Sequence, residues 1–104
     1  MNNEKNIEKE IQEKGLNAPR LTPERIDGAI VEEDYYVFPK TQLTICCLTL
    51  GNGFTVTGES ACASPENFNA ELGRKIARDN ARNKIWALEG YLLKQKLYEQ
   101  VGKI

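Results

Sequence analysis

The sequence predicts an α+β fold: a short N-terminal helix, an antiparallel β-hairpin and one long C-terminal helix, packed as a homo-oligomer. Three observations carry this. The apolar run LTICCLTL (residues 43–50) meets the turn Gly51-Asn52-Gly53, and residues 54–59 then alternate, with Phe54, Val56 and Gly58 on one side and Thr55, Thr57 and Glu59 on the other. That is a hairpin closed by an Asn-Gly turn. A Ser64-Pro65-Glu66 start signal next opens a helix of amphipathic spacing that reaches Leu97. Its apolar positions form two rows, more than one hairpin covers, which predicts that the helix also packs against another copy of the chain.

Taken in order, residues 1–14 are polar and broken only by Ile7 and Ile11, so residues 1–20 read as a polar tail or a frayed helix that orders against a partner. Gly15 to Arg20 is a linker, and residues 21–104 form a single domain. Thr22 is an N-cap, Pro23 suits the first helical position, and Glu24 complements the helix dipole. Ile26, Ala29 and Ile30 share one side of this short helix, which should fade near Glu32. Glu32-Glu33-Asp34 reads as a solvated turn leading into an aromatic extended piece that Pro39 stops. The strand at 43–50 is apolar or threonine on both faces and is expected to be covered on both.

In the long helix, Ser64 is the expected cap. Phe68, Leu72 and Ile76 begin the first apolar row; Ala77, Ala81, Ile85, Leu88 and Leu92 continue it. Trp86, Leu93 and Leu97 form the second. Gly73 and Gly90 each cost up to about 1 kcal/mol relative to alanine inside a helix. They imply either a close approach of another element or a kink.

Composition narrows the chemistry. The chain has 104 residues, a net charge of −1, three cysteines and no histidine. One modest core fits this length. Residues 1–63 carry six Lys/Arg and ten Asp/Glu, a net of −4, whereas residues 64–104 carry eight and five, a net of +3, so the two halves can pair within or between subunits. No stretch is long enough to span a bilayer, and MNNEKNIEKE does not read as a secretory signal. An odd cysteine count, with Cys46 and Cys47 on opposite faces of a strand, fits buried thiols in a reducing compartment. Without histidine there is no Ser-His-Asp or Cys-His dyad, and no zinc site is expected. Cys62 lacks a partner base and Glu59 stands alone, so no catalytic residue, metal or cofactor is assigned. Nucleic acid is disfavoured by the overall charge.

What remains is binding. The segment Gly58-Glu59-Ser60-Ala61-Cys62-Ala63-Ser64 reads as a loop of small residues in front of a helix N-terminus, where the N–H groups of Glu66, Asn67 and Phe68 should point outward. Such an entrance accepts anions. An ordinary Ser-Pro-Glu cap is the simpler reading of the same residues. Arg74, Arg78 and Arg82 follow at i, i+4, i+8, suited to phosphate or to a solvated face. The expected ligand-binding set is therefore Ser60, Ser64, Asn67, Arg74, Arg78 and Arg82, taking a phosphate-bearing small molecule where subunits meet. Tyr35, Tyr36, Phe38 and Trp86 are available for stacking on a base.

The string NGFTVTGESACASPENFNAELGRKIARDNARNKIWALEGYLL resembles the small tailed-phage proteins typified by gp-forty-nine of the N-four coliphage and gene sixty-six of the Sf-six Shigella phage. The resemblance runs from about Leu21 to Leu97, through Asn-Gly-Phe, Gly-x-Ser-Ala-Cys, Pro-x-Asn-Phe and Ile-Trp-x-Leu-x-Gly-Tyr in order. Ala87 stands where a proline often follows the tryptophan. The resemblance implies a phage or prophage accessory protein acting in the cytoplasm of the bacterial host, and it transfers no catalytic residue. By analogy with small counter-defence proteins, it suggests a non-enzymatic sponge for a nucleotide-type immune messenger. The alternative is a protein–protein adaptor or inhibitor of a host enzyme, working through Trp86, Leu93, Leu97 and the acidic half.

Overall fold

The computed structural model describes residues 4–16 and 18–101. The ends of the expected tail and of the expected C-terminal domain lie outside the described residues. The elements are α1 (Glu4–Glu13), α2 (Pro23–Gly28), β1 (Ile30–Val37), β2 (Leu43–Leu50), β3 (Thr55–Ala61), a 3₁₀ turn (Pro65–Asn67) and α3 (Ala70–Gln100). The α+β class holds, with one addition. The hairpin is two strands of a three-stranded antiparallel sheet in the order β1-β2-β3.

That third strand corrects the reading of residues 29–38. Thr22 caps α2 as expected, its Oγ1 accepting from the Arg25 N–H at 3.2 Å. The helix then ends at Gly28 rather than near Glu32. Ile30 pairs with Leu50 and Val37 with Thr44, with a register shift between Ile30 and Glu32. The acidic triplet therefore lies in a strand and not in a turn. Pairing with β2 outweighs the local turn signal, and the aromatic and β-branched residues of this segment suit a pleated surface.

Asn52 Oδ1 accepts from the Phe54 N–H at 2.9 Å, and Gly53 has a φ of 92°, so the hairpin turn forms where the sequence placed it. The returning strand is longer than expected. β3 runs through Gly58 to Ala61, leaving only Cys62, Ala63 and Ser64 before the 3₁₀ turn. The cause is packing. A Cβ built at Gly58 would lie 2.2 Å from Ala81 N and 2.4 Å from Ala77 O, so α3 rests its backbone directly on this glycine.

The start of α3 is also displaced. Ser64 heads only the 3₁₀ turn, without a side-chain cap bond, and its hydroxyl donates to Glu66 Oε1 at 2.7 Å. Phe68 is extended, and Asn69 is the true cap, its Oδ1 accepting from the Leu72 N–H at 2.9 Å. From there α3 is one helix of 31 residues, roughly 46 Å long at the standard rise. Gly73 and Gly90 lie within it. A Cβ at Gly73 would meet Thr44 Oγ1 at 3.1 Å, so that glycine serves a close helix–strand approach.

The core is a single layer between sheet and helices: Ile26, Cys46, Leu48, Leu50, Val56, Ala77, Ala81 and Ile85, with Trp86 and Leu88 packed at its edge. Leu72 and Ile76, expected in the first apolar row, are exposed. The sheet-facing stripe runs instead through Gly73, Ala77, Ala81 and Ile85, and Leu72 and Ile76 stand one position off it. Helices lie on one face of the sheet only. On the other, Tyr36, Ile45 and Glu59 form one cross-strand row, Asp34, Cys47 and Thr57 the next, and Glu32, Thr49 and Thr55 a third. Every β1 and β3 member of these rows is exposed, and the β2 members are half-buried. β2 is therefore covered on one face, not two.

Candidate functional site

The structure does not bring the six sequence-predicted residues around one space: Ser60 and Asn67 line one concavity, Arg78 and Arg82 another, and Ser64 and Arg74 neither. Ser60 sits in β3 opposite Thr44, and with Asn67, Cys62, Phe68, Leu72 and Gly73 it lines a small concavity of about 100 Å³. The Asn67 and Phe68 N–H groups donate to Ser64 O and Pro65 O at 3.0 and 3.1 Å. Two of the three donors expected to face an anion are thus closed within the turn. On this flank Asn80 Nδ2 also donates to Glu59 O at 2.9 Å.

Arg78 and Arg82 emerge on the opposite flank, beside β1, and line a cleft of about 340 Å³ with Glu4, Lys5, Asn6, Asp27 and Asp79. Arg78 Nε lies 3.2 and 3.3 Å from the two carboxylate oxygens of Glu33. Arg82 is nearly enclosed, its side chain 8% exposed. Its Nε donates to Asp27 Oδ1 at 2.7 Å, its Nη1 to Glu4 Oε2 at 2.8 Å and its Nη2 to Pro23 O at 3.3 Å. The Glu4 carboxylate also accepts from Trp86 Nε1 at 3.0 Å. Hydrogen bonding to Glu4 is the main cause that pushes the Arg82 pKa up, so the guanidinium is held charged as a clamp between α1, α2 and α3. Arg74 is exposed and lines neither concavity. Glu8 and Arg20 form a second tie between α1 and the rest of the chain.

A polar chain crosses from β1 to the core. Tyr35 Oη donates to Glu33 Oε1 at 2.6 Å, and this bond, with Arg78, holds the Glu33 carboxyl below its ordinary value. Burial, then the bond to Glu33, pushes the Tyr35 phenol up. Burial likewise raises the Cys46 thiol, which makes it a poor nucleophile. Among the described residues no group of three or more His, Cys, Asp or Glu side chains is placed to hold a metal ion. No described helix is long and apolar enough to cross a membrane.

A third concavity, lined by other residues, was not anticipated. It opens where α3 overshoots the hairpin, has a volume of about 720 Å³, and draws on three elements: Arg25 in α2 and Ala29 at its C-cap, Leu50 and Phe54 at the hairpin, Leu88 and Tyr91 from α3. This is within the size range of small-molecule sites, which are mostly apolar with a few polar groups. Phe54 and Tyr91 are exposed aromatic rings on its wall. Arg25 Nε lies 3.6 Å from Glu89 Oε1, and Glu24 and Asn52 complete the polar rim. Phe54 and Tyr91 are 37 positions apart, so no local motif announces the groove.

Residues 21–97 match the family model described as phage protein (N4 Gp49/phage Sf6 gene 66) family. No curated protein matches the chain, and no solved structure does. The match begins after α1, so the clamp at Arg82 ties a segment outside the matched region to one inside it.

Proposed function

Because this chain belongs to the phage protein (N4 Gp49/phage Sf6 gene 66) family, we propose that it is an accessory protein that works by binding, without turnover, in the cytoplasm of the bacterial host. It sequesters a nucleotide-type small molecule of the host's immune signalling. The groove between hairpin, α2 and α3 carries this reading. Its volume suits a nucleotide, Phe54 and Tyr91 offer faces for a base, and Arg25 offers a guanidinium for phosphate. Glu24, Glu89 and Asn52 supply hydrogen-bonding groups for ribose and base edges. Of the expected arginine row, Arg82 is already engaged by Glu4 and Asp27, and the groove draws on other residues.

The test is thermal stability of the purified protein against nucleotides, cyclic nucleotides and ADP-ribose derivatives. A ligand at one hundred times its Kd adds about 2.7 kcal/mol, a melting shift of several degrees. The expected result is a shift lost in Phe54→Ala and in Arg25→Ala, with the ligand recovered intact after denaturation. A cleaved ligand, or no shift across the panel, overturns the reading.

A further inference from the structure

Two uncovered surfaces of this chain carry opposite charge. One is the outer face of the sheet, which presents Glu32, Asp34 and Glu59 and no lysine or arginine. Its apolar part is Tyr36 and Ile45, with Phe38 stacked edge-on against Tyr36 at 4.8 Å between ring centres. The other is a stripe along the far end of α3, where Lys84, Ala87, Tyr91, Lys94, Tyr98 and Val101 alternate three- and four-residue steps, the repeat of a helix seam. Every member of the stripe is exposed, and none is acidic. Among the described residues neither its two lysines nor the three carboxylates of the sheet face form an ion pair.

The two surfaces cannot meet within one chain. α3 is a continuous helix packed on the opposite face of the same sheet, through Gly58, Ala77 and Ala81. Their charges and aromatic content are nonetheless complementary, and they belong to the acidic and basic halves of the sequence. We propose that the occupant of the outer sheet face is a second copy of this chain. In a two-fold dimer the α3 stripe of each protomer lies across the sheet of the other, and both uncovered surfaces are buried at once. Lys84 and Lys94 then face carboxylates, while Tyr98 and Val101 cover the Tyr36–Ile45 region.

Sedimentation of the full chain tests this with two charge reversals, Lys84→Glu/Lys94→Glu on the stripe and Asp34→Lys/Glu59→Lys on the sheet. All four positions are exposed, and circular dichroism checks that each variant folds. The wild type sediments as a dimer, and each variant alone dissociates on the order of tenfold or more readily, as like charges then oppose each other. An equimolar mixture of the two variants restores the dimer, because each reversed surface meets its complement. A monomeric wild type, a dimer indifferent to both reversals, or a mixture that stays monomeric overturns the proposal. Tyr91 belongs to both the stripe and the hairpin–helix groove, so the dimer seam borders the ligand site. The four reversed positions do not line the groove, so a melting shift that survives both reversals separates failure of the dimer from failure of ligand binding.

Discussion

Gly58 and Ala81 touch backbone to backbone: a Cβ placed on Gly58 would stand 2.2 Å from the Ala81 amide nitrogen. Both residues are buried, and the contact sets how closely α3 lies on β3. The obstacle is helix backbone, which cannot swing aside as a flexible side chain would. Gly58→Ala should therefore cost about 3 kcal/mol or more, the upper end for overpacking. Gly51→Ala, where an added Cβ meets nothing within 4 Å, should cost far less. Urea midpoints of the two variants check this, and equal losses would contradict it.

The helix start at Asn69 makes a second comparison. Asn69→Ala removes the bond from the Leu72 N–H and should lower stability by about 1 kcal/mol. Ser64→Ala removes a hydroxyl that bonds only an exposed carboxylate, so it should cost a few tenths at most. Denaturation curves that rank Ser64 above Asn69 would return the cap to where the sequence alone put it.

Arg82 and Trp86 share the Glu4 carboxylate, and Trp86 is the only tryptophan, so its fluorescence reports whether α1 is docked. Glu4→Ala should shift the emission to the red without unfolding the sheet. Arg82→Ala should cost about 2–3 kcal/mol, less than a fully buried pair because Asp27 is half open to water. Arg82→Lys should recover only part, since an ammonium cannot replace the fork that meets Glu4, Asp27 and Pro23.

The Tyr35–Glu33 bond predicts effects at both ends of the pH scale. The folded state binds the Glu33 proton more weakly than the unfolded chain, so its contribution is complete above the ordinary glutamate value of about 4.3 and fades as pH falls through the lower folded value. It stays well under 1 kcal/mol because Glu33 is partly solvated. Tyr35 behaves oppositely: its raised pKa gives stability present below pH about 10 and lost as pH climbs toward the folded value. Absorbance at alkaline pH should show a late-titrating phenol that Tyr35→Phe removes. The same substitution should flatten the acid side of the stability profile.

The hairpin and the start of α2 were legible because their signals are local. Asn52-Gly53 carries its own turn preference, and Thr22-Pro23-Glu24 its own cap. At α3 the sequence was read as starting at Ser64-Pro65-Glu66, whereas Phe68 stays extended, Asn69 caps the helix and Gly58 draws α3 onto the sheet. β1 was missed for a related reason. Glu32-Glu33-Asp34 resembles a turn until β2 offers its edge, and only then does alternation across the strand give each residue a face.

By itself, then, the sequence determined the class of fold, the hairpin, the long helix, the lack of histidine chemistry and the family. Each of these is written in residue types or in spacings of a few positions. The tertiary structure decided what the charged side chains do. Arg82 became a clamp because Glu4, 78 positions away, folds back onto it. The sheet acquired one bare acidic face because only one layer of helices covers it. The groove exists because α3 outruns the hairpin, a matter of relative lengths that appears only once helix and strands are packed.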